Sequence, residues 1–255
     1  MKHLNLRIKK EDLLRIPPWA RGALAAGLLM LVIGLIFWLN PFAGDSAASE
    51  SLPPESASIN AFAPYASAEI KQAWEKNNDT AGWLALPGCD INDPVMQGAD
   101  NDEYLRRTEF SSAYNIWGCY FLDYTNTNDG YTLLSRVSVV YGHSLDDTPN
   151  SKKFSKLKQF EDPAFCKANQ SFTFSLLYAS QAYSIFSACK IPVSMDYINP
   201  NPDDAEYQAL LTYLLENSSY DFGVNVATSD HIMLLSTCTS NENERYVVAG
   251  VKKAG

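Results

Sequence analysis

Residues 22–39 read GALAAGLLMLVIGLIFWL, eighteen positions without a charge. A helix rises about 1.5 Å per residue, so this run is long enough to cross roughly the hydrocarbon core of a bilayer. Trp19 and Trp38 bracket it, as interfacial aromatics do at the ends of a span. Six of the 20 basic residues (Lys2, Arg7, Lys9, Lys10, Arg15, Arg21) precede it, against only Glu11 and Asp12. The positive-inside rule then expects residues 1–21 in the cytoplasm, a single-pass anchor in the cell membrane at 22–39, and the rest of the chain outside. The same residues allow a cleaved signal peptide, with Ala43, Ala47 and Ala48 as small residues for cleavage. The apolar run exceeds the ~7–15 residues of a usual signal core, which favours a retained anchor.

Residues 40–60 (NPFAGDSAASESLPPESASIN) are dominated by Ser, Ala, Pro and Gly with no apolar period to bury, the composition of a flexible tether. Residues 61–255 then form the expected extracellular domain. From Asp45 onward the chain carries 14 basic and 27 acidic residues. Such a body repels phosphate backbones, so nucleic acid is excluded as a partner. No Gly-rich phosphate loop is present, and no cofactor or metal is called for. Five cysteines, Cys89, Cys119, Cys166, Cys189 and Cys238, are too few and too irregular for a disulfide scaffold. Cys119 and Cys189 sit among apolar neighbours, and four of the five read as small buried hydrophobes.

Short apolar runs separated by turn residues predict strands at 82–86, 94–97, 118–123, 137–142, 171–178, 182–191, 232–237 and 246–251. Eight short strands with irregular connections indicate a mainly β domain, a closed barrel or sandwich, rather than a parallel α/β sheet. A helix is expected over 64–77. Residues 151–160 place Phe154, Leu157 and Phe160 at helical spacing. Residues 203–217 begin with acids and put Tyr207, Leu210, Leu211 and Leu214 on one face. That amphipathic helix either covers the barrel or walls a substrate groove.

The run HIMLLSTCTS sets Cys238 at the exit of a buried strand, and Arg245 opens the run that follows. A cysteine nucleophile acts as thiolate, which a nearby imidazole or guanidinium favours. Of three histidines, His3 lies on the cytoplasmic side and His231, after Ser229 and Asp230, reads as a solvated loop residue. His143 closes the run VSVVYGH and so stands at a strand end, with Gly142 permitting a tight turn beside it.

The segments Val140-Tyr-Gly-His143 and Leu235-Ser-Thr-Cys238, followed by Arg245-Tyr-Val-Val, resemble the signature of sortases. Asn78-Asp-Thr-Ala-Gly-Trp83, Pro94-Val-Met-Gln97, Asp100-Asn101 with Tyr104-Leu105, and Phe121-Leu-Asp-Tyr-Thr-Asn126 resemble class B blocks in the right order. The resemblance spans about residues 75–251. It implies an eight-stranded sortase-type β-barrel with peripheral helices, following the transmembrane helix. It also implies a cysteine transpeptidase that cleaves a C-terminal sorting motif of secreted surface proteins after Thr. The thioacyl intermediate would pass to an amine of a cell-wall peptidoglycan precursor or of a pilin. Cys238 matches the nucleophile, His143 the general acid/base and Arg245 the cation that stabilises developing negative charge. Ser236 and Thr237 match strand positions lining the substrate groove, and the 203–217 helix matches the class B insertion. Two departures are visible: Leu234 stands where the family's cysteine strand usually has Thr, and the loop TSNENE before Arg245 is short for the class.

The same residues would serve a hydrolysing cysteine endopeptidase. His143 precedes Cys238 by 95 residues, the reverse of the papain-like order, and a cell-wall L,D-transpeptidase would carry His-Gly-Cys close together. A non-catalytic binding barrel, for which 14 Tyr and 12 Phe could line a groove, gives no reason for Cys, His and Arg at strand ends.

Overall fold

The computed structural model describes residues 65–146, 148–149 and 151–252. The expected anchor at 22–39 and tether at 40–60 lie outside the described residues. Among those described, no helix is long and apolar enough to cross a membrane.

Eight strands form the domain: β1 (Thr80–Leu86), β2 (Ile91–Met96), β3 (Tyr120–Leu122), β4 (Val137–Tyr141), β5 (Ser171–Ser175), β6 (Ser180–Pro192), β7 (Ile232–Cys238) and β8 (Glu244–Lys252). They close into a barrel in the order β1-β2-β3-β4-β7-β8-β6-β5, which settles barrel against sandwich. β3 runs parallel to β2 and β7 parallel to β4, while the other pairs are antiparallel. The parallel β4–β7 pair decides the site, because it brings two strand ends distant in sequence to the same end of the barrel.

β4 and β7 are mostly apolar because both of their faces are largely covered. Val140, Met233 and Leu235 join the barrel interior, whereas Val137, Val139, Ile232 and Leu234 join a second, outer cluster with Leu210, Leu211 and Leu214. Those leucines belong to α3 (Asp204–Glu216), the third helix after α1 (Ala68–Lys76) and α2 (Pro163–Ala168). Asp203 caps α3, accepting from the Glu206 amide while the Glu206 side chain accepts from the Asp203 amide. Such a capping box satisfies two orphan donors of the first turn. α3 thus covers the outer face of the β4–β7–β8 wall.

Several element ends differ from the sequence reading. β2 begins three residues before the expected 94, across Asn92, Asp93 and Pro94. There the strand pairs with β1 alone, the β3 ladder touching only Val95 and Met96, so the N–H that Pro lacks is not needed. β5 stops at Ser175, short of 178, because the chain turns back through Leu176 N–H to Ala179 O. β6 and β8 extend one or two residues beyond their expected ends, to Ser180 and Pro192 and to Glu244 and Lys252. The segment expected as a helix at 151–160 is a 3₁₀ helix, Lys153–Glu161; Phe154, Leu157 and Phe160 recur every third residue, the 3₁₀ period and not the α period. These three side chains plug one end of the barrel. The helix expected from 64 is α1, starting at Ala68 with Ser67 as its cap.

Candidate active site

The β4–β7 ladder pairs Tyr141 with Ser236, and Gly142 N–H donates to Ser236 O at 3.3 Å. Two residues further along this parallel register, His143 comes beside Cys238. On the other side of β7, Cys238 pairs directly with Arg245. Alternation along a strand puts Cys238 on the same barrel face as Ser236 and Arg245 on that of Val247, while His143 lies two residues past the end of β4. All three side chains line one cleft of about 210 Å³ with Tyr141, Ser236 and Thr237. Arg245 is the second residue of β8 rather than its opener, and the short 239–244 loop sets it opposite the thiol.

Cys238 is the exposed cysteine of the five, and all five are free. Burial pushes the Cys89 and Cys119 thiols up to about 12 and also raises Cys166 and Cys189. Those four are held protonated in apolar surroundings, and the thiol that solvent reaches is the one in the cleft.

His143 is fixed by backbone groups. Its Nε2 lies 2.7 Å from Leu105 O, and since a carbonyl only accepts, Nε2 carries a hydrogen and donates it. The neutral ring then has its lone pair on Nδ1. Burial is the main cause that lowers the His143 pKa, opposed by the Leu105 bond and reinforced by Arg106 and Lys153. The ring is thereby biased towards the neutral form that can take up a proton. Leu105 O reaches this place past Gly118, whose φ is +53° and whose missing Cβ would collide with that carbonyl. Gly142 is not one of the described glycines with positive φ; contrary to the tight-turn reading, it is glycine because a Cβ would press on Phe154 and Tyr120 at 2.8 Å.

Arg245 donates through Nη1 to Glu242 O at 3.0 Å and Glu244 O at 2.8 Å. It bonds to the carbonyls of its acidic neighbours, and among the described residues no carboxylate is ion-paired with it. Its charge acts on the cleft, counteracting the burial that raises the Tyr141 and Tyr197 pKa values. Ser236 and Thr237 have structural commitments: Ser236 Oγ lies 3.1 Å from Tyr197 Oη, and Thr237 Oγ1 donates to Gly142 O at 2.7 Å.

Several cleft residues escaped the sequence reading of the site. Tyr141 donates to Asp123 Oδ2 at 2.8 Å, and Asn101 Nδ2 donates to the same oxygen at 2.9 Å. Leu105 contributes a backbone atom, which no side-chain pattern could reveal. Tyr141, Asn101, Asp123 and Leu105 all fall within the segments that carried the family resemblance, which was the available signal. Lys158, inside the 3₁₀ helix, donates to Ser144 Oγ at 2.8 Å beside the His143 turn. α3 supplies no lining residue, so of its two expected roles the structure supports covering the barrel. His231 is exposed, as expected, and its Nδ1 lies 3.1 Å from Ser135 O, far along β7 from Cys238.

A reachable thiol between a backbone-held imidazole and a guanidinium suits acyl transfer through a thioester, and a closed barrel of this strand order places it in the sortase class. No protein-family model matches the chain. Sortase B of Staphylococcus aureus is 31% identical over 176 residues, 68% of this chain and 69% of that protein. Sortase B of Listeria monocytogenes is 28% identical over 186 residues, 71% and 73% respectively. The crystal structure of the S. aureus sortase B matches with a TM-score of 0.66 at 27% identity, covering 75% of this chain and 89% of that one. For sortase B of Clostridium perfringens the TM-score is 0.63 at 27% identity, covering 72% and 99%. The chain belongs to the class B sortases and is a sortase-type cysteine transpeptidase.

Proposed function

We propose that Cys238 is the nucleophile, His143 the general acid/base and Arg245 the oxyanion-side cation in cleavage of a C-terminal sorting motif after Thr. The observation that carries this reading is the single cleft that His143, Cys238 and Arg245 line, with Cys238 paired to Arg245 across β7 and β8. His143 Nδ1 takes the Cys238 proton as sulfur attacks the Thr carbonyl carbon. The resulting oxyanion lies within the field of Arg245, which stabilises it by several kcal/mol in a water-poor cleft. On collapse the C–N bond breaks, and the proton on His143 goes to the leaving amine, a contribution of ~10²–10⁴-fold. A thioacyl enzyme remains. An acceptor amine then attacks it, gives a proton back through His143, and releases the Cys238 sulfur. Ser236 and Thr237 line the groove through which the peptide runs. Class membership supports a motif of the Asn-Pro-x-Thr or related Pro-x-Thr kind and an acceptor amine on a peptidoglycan precursor or a pilin.

The proposed organisation is a cytoplasmic tail at 1–21, an anchor at 22–39, a tether at 40–60 and an extracellular catalytic domain at 61–255. The charge bias and the length of the uncharged run support it. Incubation of the protein with a Pro-x-Thr sorting peptide, without acceptor, should add the mass of the peptide truncated after Thr. The adduct should vanish in Cys238→Ala and be discharged by hydroxylamine. His143→Ala and Arg245→Ala should each slow its formation by ~10²-fold or more. An adduct on another cysteine, or peptide cleavage by Cys238→Ala, would reject these roles. Discharge by water as fast as by amine would turn the reading to an endopeptidase.

A further inference from the structure

Asp123 lies outside the reacting groups yet touches two elements that set them. It is 2% exposed, and among the described residues it forms no ion pair. A buried carboxylate needs strong hydrogen bonds in place of water, and four donors supply them. Oδ1 accepts from the Thr125 amide at 2.9 Å and the Thr125 hydroxyl at 2.6 Å. Oδ2 accepts from Asn101 Nδ2 at 2.9 Å and Tyr141 Oη at 2.8 Å. A carboxylate has acceptor sites for all four, whereas a carboxamide would turn a donor towards one side. Its own backbone is pinned, because Asp123 N–H donates to Val139 O at 2.9 Å and Gln97 Nε2 donates to Asp123 O at 2.9 Å.

The two donors on Oδ2 lead to His143 by separate routes. Tyr141 is the last residue of β4, two before His143. Asn101 lies in the bend and turn of residues 99–106, and Leu105 of that turn holds His143 Nε2 through its carbonyl at 2.7 Å. The Asn101 amide is oriented from both sides, since its Oδ1 accepts from the Tyr124 amide at 3.1 Å. It cannot flip without losing that bond. The turn is tied within itself: Leu105 N–H donates to Asp102 O at 3.1 Å, and the Asp102 and Glu103 amides each donate to Asp100 Oδ1 at 2.9 Å. A shift of Asn101 therefore carries Leu105 with it. One buried oxygen joins the strand that leads to the imidazole to the turn that orients its ring.

We propose that Asp123 is a positioning residue for His143, its carboxylate clamping the Leu105 turn onto β4 so that the imidazole keeps the direction proton transfer needs. This rests on His143 being the general acid/base. Asp123→Asn in the full chain is the test. With the amide oxygen kept towards Thr125, the new NH₂ group meets the Asn101 N–H donor against donor, while the Tyr141 hydroxyl can turn round and accept. The Asn101 link is cut and the Tyr141 link kept. Thioacyl-adduct formation at saturating sorting peptide should slow roughly 10-fold, short of the ~10²-fold of a full ångström misplacement. By NMR of the resting protein, the His143 Nε2–H proton should exchange with water about 10-fold faster than in the wild type while the β7 amides keep their protection. Asn101→Ala cuts the same link from its other end and serves should Asp123→Asn fail to fold. Where both fold, the double variant should be no slower than the slower single one. An unchanged rate at saturating peptide, unchanged ring-proton exchange, exchange that quickens equally in β7, or additive losses in the double variant would each overturn the clamp. Wild-type adduct formation in His143→Ala would reject the acid/base role itself, a failure separate from that of the clamp, which the ring proton reports without substrate.

Discussion

The hydroxyl of Thr237 offers a quantitative handle on how the cleft is held. It is 3% exposed and donates to Gly142 O at 2.7 Å, tying the cysteine strand to the residue before His143. Thr237→Val keeps shape and volume but replaces the donor by a methyl group, leaving the Gly142 carbonyl without that partner. The loss of one hydrogen bond with a buried acceptor left behind is worth about 1–3 kcal/mol. His143 keeps two other ties, Nε2 to Leu105 O at 2.7 Å and its carbonyl to Phe154 N–H at 3.0 Å. Its ring should therefore shift by well under an ångström, and the acylation rate should fall about 3- to 10-fold rather than the ~10²-fold of a full ångström misplacement. Urea unfolding measures the first quantity, and single-turnover adduct formation followed by mass spectrometry measures the second. A stability change below about 0.3 kcal/mol would show that this hydroxyl does not hold the two strands. Unchanged stability with a rate loss as large as that of His143→Ala would instead place the hydroxyl on the substrate.

Because burial lowers the His143 pKa from 6.5, the unfolded chain binds a proton that the folded one resists. Stability should therefore drop as pH falls below 6.5 towards the folded value, and His143→Gln should flatten that drop in urea titrations. If both proteins lose stability in parallel over this window, the histidine is not the group responsible. All five cysteines are free, so reductant should leave the melting temperature unchanged; a large fall would reveal a disulfide, whose loss typically costs ~2–5 kcal/mol. Protease added to intact cells should digest the chain beyond residue 40 and spare the tail before residue 22. Recovery from the medium of protein beginning between 43 and 49 would replace the anchor with a cleaved leader.

Residues in sequence determined much of this protein on their own. Apolar runs bounded by turn residues located all eight strands, because a strand buried on one face or both needs apolar residues at its buried positions. Position likewise marked Cys238, the cysteine at the exit of an apolar run with an arginine downstream, and the block order from Asn78 to Arg245 carried the class. Strand ends were misjudged where burial was one-sided, as at Asn92 and Asp93, since a residue with one ladder partner can be polar or even Pro. Tertiary structure alone decided the parallel pairing of β4 with β7, a contact between segments 95 residues apart in which no local pattern distinguishes one apolar partner from another. It also decided how His143 is held, because Leu105 acts through its carbonyl, and every residue carries one.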